Sequence, residues 1–176
     1  MKKFFLYGSV VIIVAIIIVG IMAPKETTVQ RSVVIEKPVD VVFDYFLSLQ
    51  NMEEYSPWQA RDPKTVHEYR GAGNTVGSVH RWVSTHKEVG TGEQEITDIK
   101  QNKEIISELR FEEPFESTSQ GFLKFKSVPN GTEVIWGYNG NLGFLESIFM
   151  MFVDMDKILG DDFTKGLTTA KSNLEN

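Results

Sequence analysis

The spacing of hydrophobic and polar positions changes several times along this chain. Residues 4–23 carry no charged residue. Residues 28–36 are rich in β-branched residues with apolar positions on one face, which is typical of a strand. Residues 39–49 then place apolar side chains at helical spacing. A shorter helical turn is predicted over residues 51–55, and Ser56-Pro57-Trp58 is expected to end it.

The middle of the chain has the alternation of strands instead. Glycine, asparagine and proline separate the alternating segments, and these residues favour turns. Because the connections between consecutive strands are short, we expect an antiparallel meander. The six predicted strands cover residues 67–70, 78–85, 93–99, 104–111, 119–126 and 132–138.

After Gly140 the apolar spacing becomes helical again and stays so to the end of the chain. We expect this helix to bend or restart near Gly160, or before it. Its opening stretch, residues 145–153, is more apolar than one buried face requires. It is therefore either the buried start of the last helix or an exposed lip that touches a bilayer or forms a cavity mouth. The order of β, two helices, six strands and a long helix predicts an α+β domain.

The uncharged run at residues 4–23 is long enough to cross a membrane. At 1.5 Å per residue a helix of this length spans about 30 Å, the thickness of the hydrocarbon core. A cleavable signal peptide has a shorter apolar region, of about 7–15 residues. The sequence therefore predicts a transmembrane anchor in residues 1–24 and a single domain in residues 25–176.

The charges beside the run predict its orientation. Lys2 and Lys3 precede it, whereas Lys25 after it is offset by Glu26. By the positive-inside rule, the N-terminus is then cytoplasmic and the domain lies on the extracytoplasmic side of a single-pass membrane protein.

Composition narrows the classes of function. Apolar residues make up 41% and charged residues 24% of the chain, which fits a folded domain. The net charge is −6 and no basic run is present, which argues against nucleic acid or anionic lipid headgroups as partners. Without cysteine, the fold uses neither a disulfide nor a thiolate metal site.

The sequence contains no recognisable catalytic pattern. His67, His80 and His86 fall on or beside separate strand segments without the spacing of a zinc site, so we interpret them as ordinary strand histidines near the surface. A Gly-x-Ser-x-Gly elbow is absent. We therefore predict no catalytic residue, no metal and no cofactor, and we favour a protein that is not an enzyme.

Several longer sequence segments together indicate a family. They are RSVVIEKPVDVVFDYFLSLQNMEEYSPW from Arg31, GAGNTVGSVHRW from Gly71, EVGTGEQEI from Glu88, GTEVIW from Gly131 and DDFTKGLTTAKSNLE from Asp161. With these segments the chain resembles the SRPBCC superfamily of START, Bet v 1-like and polyketide cyclase/dehydrase proteins, and in particular its membrane-anchored bacterial group. The resemblance covers residues 28–175.

The resemblance implies a helix-grip fold, in which a curved antiparallel sheet wraps around a long C-terminal helix and encloses a cavity. It also implies a hydrophobic small molecule as the ligand. Members of the superfamily range from enzymes to carriers to chaperone cofactors, so the fold alone does not decide the function. Gly166, within the last segment, is expected to let the C-terminal helix lie close to the sheet.

If the cavity exists, aromatic and sulfur-containing side chains of the sheet and the last helices would line it, although any one of them could instead pack in the core. Arg81, Arg110 and Tyr138 are candidates for a polar contact with the ligand. The ligand-cavity candidates are Trp58, Trp82, Phe125, Trp136, Tyr138, Phe149, Phe152, Met155 and Phe163.

The leading hypothesis is a membrane-tethered binding module for a hydrophobic small molecule or lipid, without covalent chemistry of its own. The first alternative is a polyketide cyclase- or dehydratase-like enzyme that acts on an aromatic substrate by shaping it and donating a proton. The second alternative is a protein-interaction module, which a large exposed apolar surface without a cavity would favour.

Overall fold

The computed structural model describes Tyr7, Val14, residues 16–114 and residues 116–176. Residues 16–22 are helical and lead into the domain. Within the described part of the chain, no helix is both long enough and apolar enough to cross a membrane. Much of the run predicted to be the anchor, residues 4–23, lies outside the described residues, so the anchor stays a prediction.

The predicted order of elements is confirmed, with one short helix added. Pro57 does not only end the preceding helical turn but also begins another, because a proline at the first helical position needs no hydrogen-bond partner for its nitrogen. The elements are β1 Glu26–Ile35, α1 Val39–Leu47, α2 Met52–Tyr55, α3 Pro57–Arg61, β2 Val66–Arg70, β3 Val79–Val83, β4 Thr91–Lys100, β5 Glu104–Glu113, β6 Ser117–Val128, β7 Gly131–Asn141, α4 Phe144–Met150 and α5 Met155–Glu175.

The seven strands form one antiparallel sheet in the order β1-β7-β6-β5-β4-β3-β2. Strands β2 to β7 are the expected meander, and β1 joins it by pairing with β7, Val29 opposite Tyr138. Helix α5 runs along β1 and touches β7. This α+β arrangement of an antiparallel sheet and a C-terminal helix fits the helix-grip fold.

The two faces of the sheet differ in charge. Because side chains alternate along each strand, one face of the sheet meets the helices and the other meets water. The outer face carries a network of ion pairs in which Arg110 contacts Glu93, Glu95 and Glu108. Arg81 pairs with Glu112 on the same face. The inner face of the same strands is almost entirely uncharged.

The inner face is tightly packed where the middle of α5 crosses it. Trp136 on β7 lies against Phe163 of α5, with ring centroids 4.8 Å apart. A Cβ atom placed on Gly166 would be 2.6 Å from the Trp136 ring, which confirms that this glycine allows the close approach of helix and sheet. The buried side chains here include Phe43, Phe46, Tyr55, Ile96, Ile105, Leu123, Phe125, Val134, Leu167 and Ala170.

The long C-terminal helix predicted from the sequence is interrupted between α4 and α5. The Asp154 side chain accepts a hydrogen bond from the backbone nitrogen of Lys157 at 3.0 Å and so caps the start of α5. Gly160 lies inside α5, where it gives space to the Arg31 side chain. In residues 145–153 the apolar side chains of Leu145, Phe149 and Phe152 are exposed, so this stretch is an exposed lip rather than a buried helix start.

Candidate functional site

The inner face of the sheet is less densely covered at the end where β7 leads into α4. One row of paired residues crosses the sheet there, from Gly140 through Ser119, Leu109 and Gln94 to His80. We call this region the open end of the inner face. Its half-buried members are Trp82, Gln94, Leu109, Phe111, Ser119 and Tyr138, with Leu159 of α5 beside them.

Glycines at the open end allow large side chains to lie flat on the sheet. A Cβ atom on Gly92 would be 2.7 Å from the Trp82 ring, and one on Gly140 would be 2.9 Å from the Tyr138 ring. Leu109 lies over Gly121 in the same way, 3.3 Å from the position of a Cβ atom. These side chains rest on the backbone of the sheet, and a larger residue at any of the three glycine positions would crowd them.

The structure divides the nine ligand-cavity candidates into four groups. Trp136, Phe163, Phe125 and Trp58 pack with one another or with neighbouring aromatic rings, and Phe125 lies 5.1 Å from the ring centroid of Phe43. Trp82 and Tyr138 lie half-buried at the open end. Phe149 and Phe152 are exposed, and Met155 lines a separate pocket.

That pocket has a volume of about 370 Å³ and lies between the start of β1, α4 and the start of α5. Its apolar wall includes Met150, Met151, Val153 and Met155, and acidic side chains stand at its rim. The volume is within the range of small-molecule sites. Methionine side chains adapt readily to differently shaped ligands.

The three candidates for a polar contact with the ligand lie on different faces of the sheet. Arg81 and Arg110 belong to the ion pairs of the outer face and cannot reach a ligand on the inner face. Tyr138 is on the inner face, and its hydroxyl lies 2.7 Å from the Ser119 hydroxyl. Only Tyr138 of the three is placed to contact a ligand at the open end.

A pair of histidines was not recognised from the sequence. His67 on β2 and His80 on β3 approach each other so that Nδ1 of His67 lies 2.8 Å from Nε2 of His80. The Tyr69 ring stacks on His80 with centroids 4.8 Å apart. His80 is only 4% exposed, so the interpretation as a surface histidine was wrong for it. In the described part of the chain no three potential metal-binding side chains cluster.

The hydrogen bonds of the histidine pair determine whether each ring nitrogen of His80 donates or accepts. Nε2 of His67 lies 2.6 Å from the side-chain oxygen of Gln59, which can only accept. When both rings are neutral, His67 therefore donates through Nε2 and accepts through Nδ1 from Nε2–H of His80. Nδ1 of His80 is then an acceptor, and it is buried without a hydrogen-bond partner. A hydroxyl group is the natural partner for it.

Burial and the neighbouring His67 keep His80 uncharged. Burial, and to a smaller extent the nearby imidazole of His67, lower the pKa of His80 from its ordinary value of 6.5 to about 4. His80 is therefore a neutral hydrogen-bonding group at physiological pH. The alternation of His80 with Trp82 on β3 was visible in the sequence, but the partner strand and its register were not.

An ion pair fixes α3 against α5 beside the open end. Both terminal nitrogens of Arg61 donate to the carboxylate of Asp162, at 2.9 and 2.6 Å. The Asp162 side chain is 5% exposed, and Arg61 is its main partner. The carboxylate raises the pKa of the Arg61 guanidinium further above its ordinary value. This pair positions Trp58 and Gln59, which precede Arg61 on the same helix.

Replacing Arg61 by alanine is expected to lower the free energy of unfolding by about 2 kcal/mol, because it leaves a buried carboxylate without its main partner. The loss stays below that of a fully buried pair since Lys165 remains 3.9 Å from Asp162. Urea unfolding of the full chain in mild detergent measures this loss in the free energy of unfolding. Arg70→Ala is the control, because Arg70 pairs with Glu93 in an exposed position and its loss should change little. Equal effects of the two substitutions would contradict the prediction.

The structure is similar to solved structures with low sequence identity. An aromatase/cyclase, Zhui from Streptomyces sp. R1128, aligns with a TM-score of 0.61 and 14% identity over 85% of this chain and 94% of its own. The Aha1 dimer from Colwellia psychrerythraea gives 0.58 and 14% identity over 85% and 96%. An uncharacterised protein from Rhizobium leguminosarum gives 0.59 and 19% over 85% and 95%. At these identities the likeness establishes the fold alone.

A match to a protein-family model says more about this chain than the structural similarities do. None of the curated protein sequences compared with this chain matches it. The model of the family described as polyketide cyclase/dehydrase and lipid transport matches residues 26–175, nearly the whole chain after the uncharged run. The match extends from the first strand to the last helix of the fold and agrees with the resemblance seen in the sequence. The chain therefore belongs to the polyketide cyclase/dehydrase and lipid transport family.

Proposed function

We propose that this chain is a membrane-tethered binding module for a hydrophobic small molecule or lipid, held at the open end of the inner face. The observation that carries the proposal is the surface of this region. Its side chains are aromatic, aliphatic or uncharged and polar, and they are half-buried in a fold whose remaining inner face is packed. A ligand with an apolar body would cover them and remove apolar surface from water.

A few polar groups at the open end suit the orientation of such a ligand. The side-chain nitrogen of Gln94 donates to the Ser107 hydroxyl at 3.0 Å, and the hydroxyls of Ser119 and Tyr138 bond to each other. These groups are neutral and partly satisfied, so an apolar ligand meets no unpaired charge there. Sites for small molecules commonly combine an apolar lining with a small number of such groups.

The tether is the part of the proposal that rests on the sequence. Residues 4–23 carry no charge, and they precede β1 by only a few residues. A domain held this close to a bilayer would encounter membrane-dissolved ligands at a high effective concentration. The domain would lie on the extracytoplasmic side if the two N-terminal lysines orient the anchor.

Replacing Ser119 by tryptophan is expected to abolish retention of the ligand, because the indole would occupy the open end. Mass spectrometry of organic extracts from the full chain, purified in mild detergent, should find one compound class with the native protein. Its amount should fall at least about tenfold in Ser119→Trp, a loss of about 1.4 kcal/mol in binding. Met155→Trp at the 370 Å³ pocket tests that site separately.

Gln120→Trp is the matched control, because Gln120 is the next residue on β6 and is exposed on the opposite face. It should retain the compound like the native chain. Equal loss in both variants would contradict binding at the open end. A native protein that carries no compound, although it is folded, would contradict the binding module and favour an enzyme with transient substrates or a protein-interaction module.

An enzyme remains the second candidate because of His80. A buried neutral imidazole with an unpartnered nitrogen is suited to exchange a proton with a bound hydroxyl or enol. The family description and the aromatase/cyclase among the similar structures agree with such chemistry. His80→Gln should then abolish turnover of a cyclase substrate while binding of the substrate persists. Unchanged turnover in this variant would remove His80 from any catalytic role.

A further inference from the structure

Large apolar side chains are exposed on α4 and the two residues that follow it. Leu145 is 74%, Phe149 63% and Phe152 85% exposed, and Phe144 and Met151 are exposed as well. We call these five residues the apolar lip. Within α4 only Ser147 is fully buried. Contiguous exposed apolar surface of this kind marks a site of contact with another apolar phase.

The apolar lip is joined to the segment that enters the domain. The Phe144 ring packs against Gly20, so closely that a Cβ atom on Gly20 would overlap the ring. Lys25 donates to the carbonyl oxygen of Gly20 and, at 3.1 Å, to the Ser147 hydroxyl. Its ammonium also lies 5.3 Å from the centroid of the Phe144 ring. The apolar lip and residues 16–22 therefore lie side by side at one end of the domain.

Residues 16–22 extend the exposed apolar surface beyond the lip. Their aliphatic side chains are exposed, and the run they belong to is uncharged from residue 4 to residue 23. A run of that length matches the hydrocarbon thickness of a bilayer. Whatever apolar phase covers residues 16–22 also reaches the apolar lip, because Gly20 is in contact with the Phe144 ring.

We propose that the apolar lip inserts into the surface of the same lipid bilayer that takes up residues 4–23. Phenylalanine and leucine side chains of α4 then lie in the boundary between headgroups and acyl chains, as in other interfacial helices. The proposal rests on the membrane tether of the proposed function and is independent of ligand binding.

The charges around the apolar lip determine which lipids it prefers. Glu146 and Asp154 are acidic, and Asp156 is paired with Arg31. The basic residues nearby are Lys157, which is exposed, and Lys25, which is engaged by Gly20 and Ser147. This surface therefore carries no net positive charge to attract anionic headgroups, and burial of apolar area supplies the binding energy. Insertion should occur in neutral phosphatidylcholine and should resist added salt.

Insertion would also give the 370 Å³ pocket an entrance from the membrane. Met150 and Met151, at the end of α4, line this pocket, and Met151 is also part of the apolar lip. Pro24 and the start of β1 form the opposite wall. A hydrophobic molecule dissolved in the bilayer would reach the pocket without crossing water.

The absence of cysteine from the chain makes a direct test possible. Full-length Phe149→Cys and Phe152→Cys are labelled with an environment-sensitive fluorophore and reconstituted into phosphatidylcholine vesicles. Asn130→Cys is the control, because Asn130 is exposed in the β6–β7 turn at the other end of the sheet. We expect a blue shift, quenching by nitroxide lipids and loss of iodide quenching at positions 149 and 152. Position 130 should show only iodide quenching.

Three results would overturn the proposal, and they differ in what they imply for the tether. Chains that float with the vesicles but are quenched by iodide at position 149 as at position 130 would keep the tether and exclude insertion. Chains that do not float with vesicles would exclude both. Protection from iodide without quenching by nitroxide lipids would show that protein covers the apolar lip, either a second copy or another part of the chain, and would equally overturn insertion.

Discussion

Replacing Trp136 by alanine is expected to lower the free energy of unfolding by about 3 to 5 kcal/mol, the largest effect of any single substitution considered for this protein. Trp136 is 7% exposed and stands at the junction of three elements. Its ring lies 5.6 Å from Tyr55 of α2, 6.0 Å from Trp58 of α3 and 4.8 Å from Phe163 of α5, measured between centroids. The substitution would leave a cavity that none of these rings can fill.

The neighbouring residue on β7 provides the control for this prediction. Ile135 points to the outer face and is only half-buried, so Ile135→Ala should cost clearly less. Urea unfolding of the full chain in mild detergent, followed by circular dichroism, compares the two variants. If Trp136→Ala proved no more destabilising than Ile135→Ala, the centre of the packed inner face would have to lie elsewhere.

Acidification from pH 6.5 to pH 4 is expected to destabilise the native state by roughly 3 kcal/mol through His80 alone. Burial, reinforced by His67, lowers the pKa of His80 to about 4, whereas the unfolded chain has the ordinary value of 6.5. Between these values the unfolded state binds a proton that the native state does not bind. Unfolding then takes up a proton, so stability falls as the pH falls and the effect ends below about pH 4.

The slope of stability against pH measures this effect. His80→Gln should remove about 3 kcal/mol of the difference between pH 6.5 and pH 4, and the remaining slope belongs to carboxylates such as Asp62, whose pKa is lowered by its hydrogen bond from Ser84. A His80→Gln slope equal to that of the native chain would show that the native state does not keep His80 neutral.

Local patterns were sufficient to predict the elements of the fold. Alternation in β2 to β7 and helical spacing in α1 and α5 follow from which side of an element is buried, and each needs only neighbouring residues. Short turns between strands then imply the meander. The interruption of the last helix was expected near Gly160 or before it, but its place depends on the capping by Asp154 and on the contact of Gly160 with Arg31. The helical spacing of apolar residues predicts neither of these contacts.

The sequence predicted the candidate site less well than it predicted the elements of the fold. Nine apolar residues were equally good candidates for lining a cavity, because an aromatic residue that packs and one that binds a ligand look alike in sequence. Glycines 92, 121 and 140 decide where large side chains lie flat, and that depends on which residue faces each glycine across the strands. Similarly, His67 and His80 meet only because the β2–β3 register pairs His67 with Trp82 and His80 with Tyr69.

The sequence by itself determined the α+β class, the order of the elements, the family and the uncharged N-terminal run, because these depend on the types of residues and their spacing. Only the tertiary structure decided which face of the sheet is charged, which aromatic residues pack, where the inner face stays open and that the apolar lip touches residues 16–22. These features arise from contacts between distant segments. Burial and strand register determine them, and neither is fixed until the chain has folded.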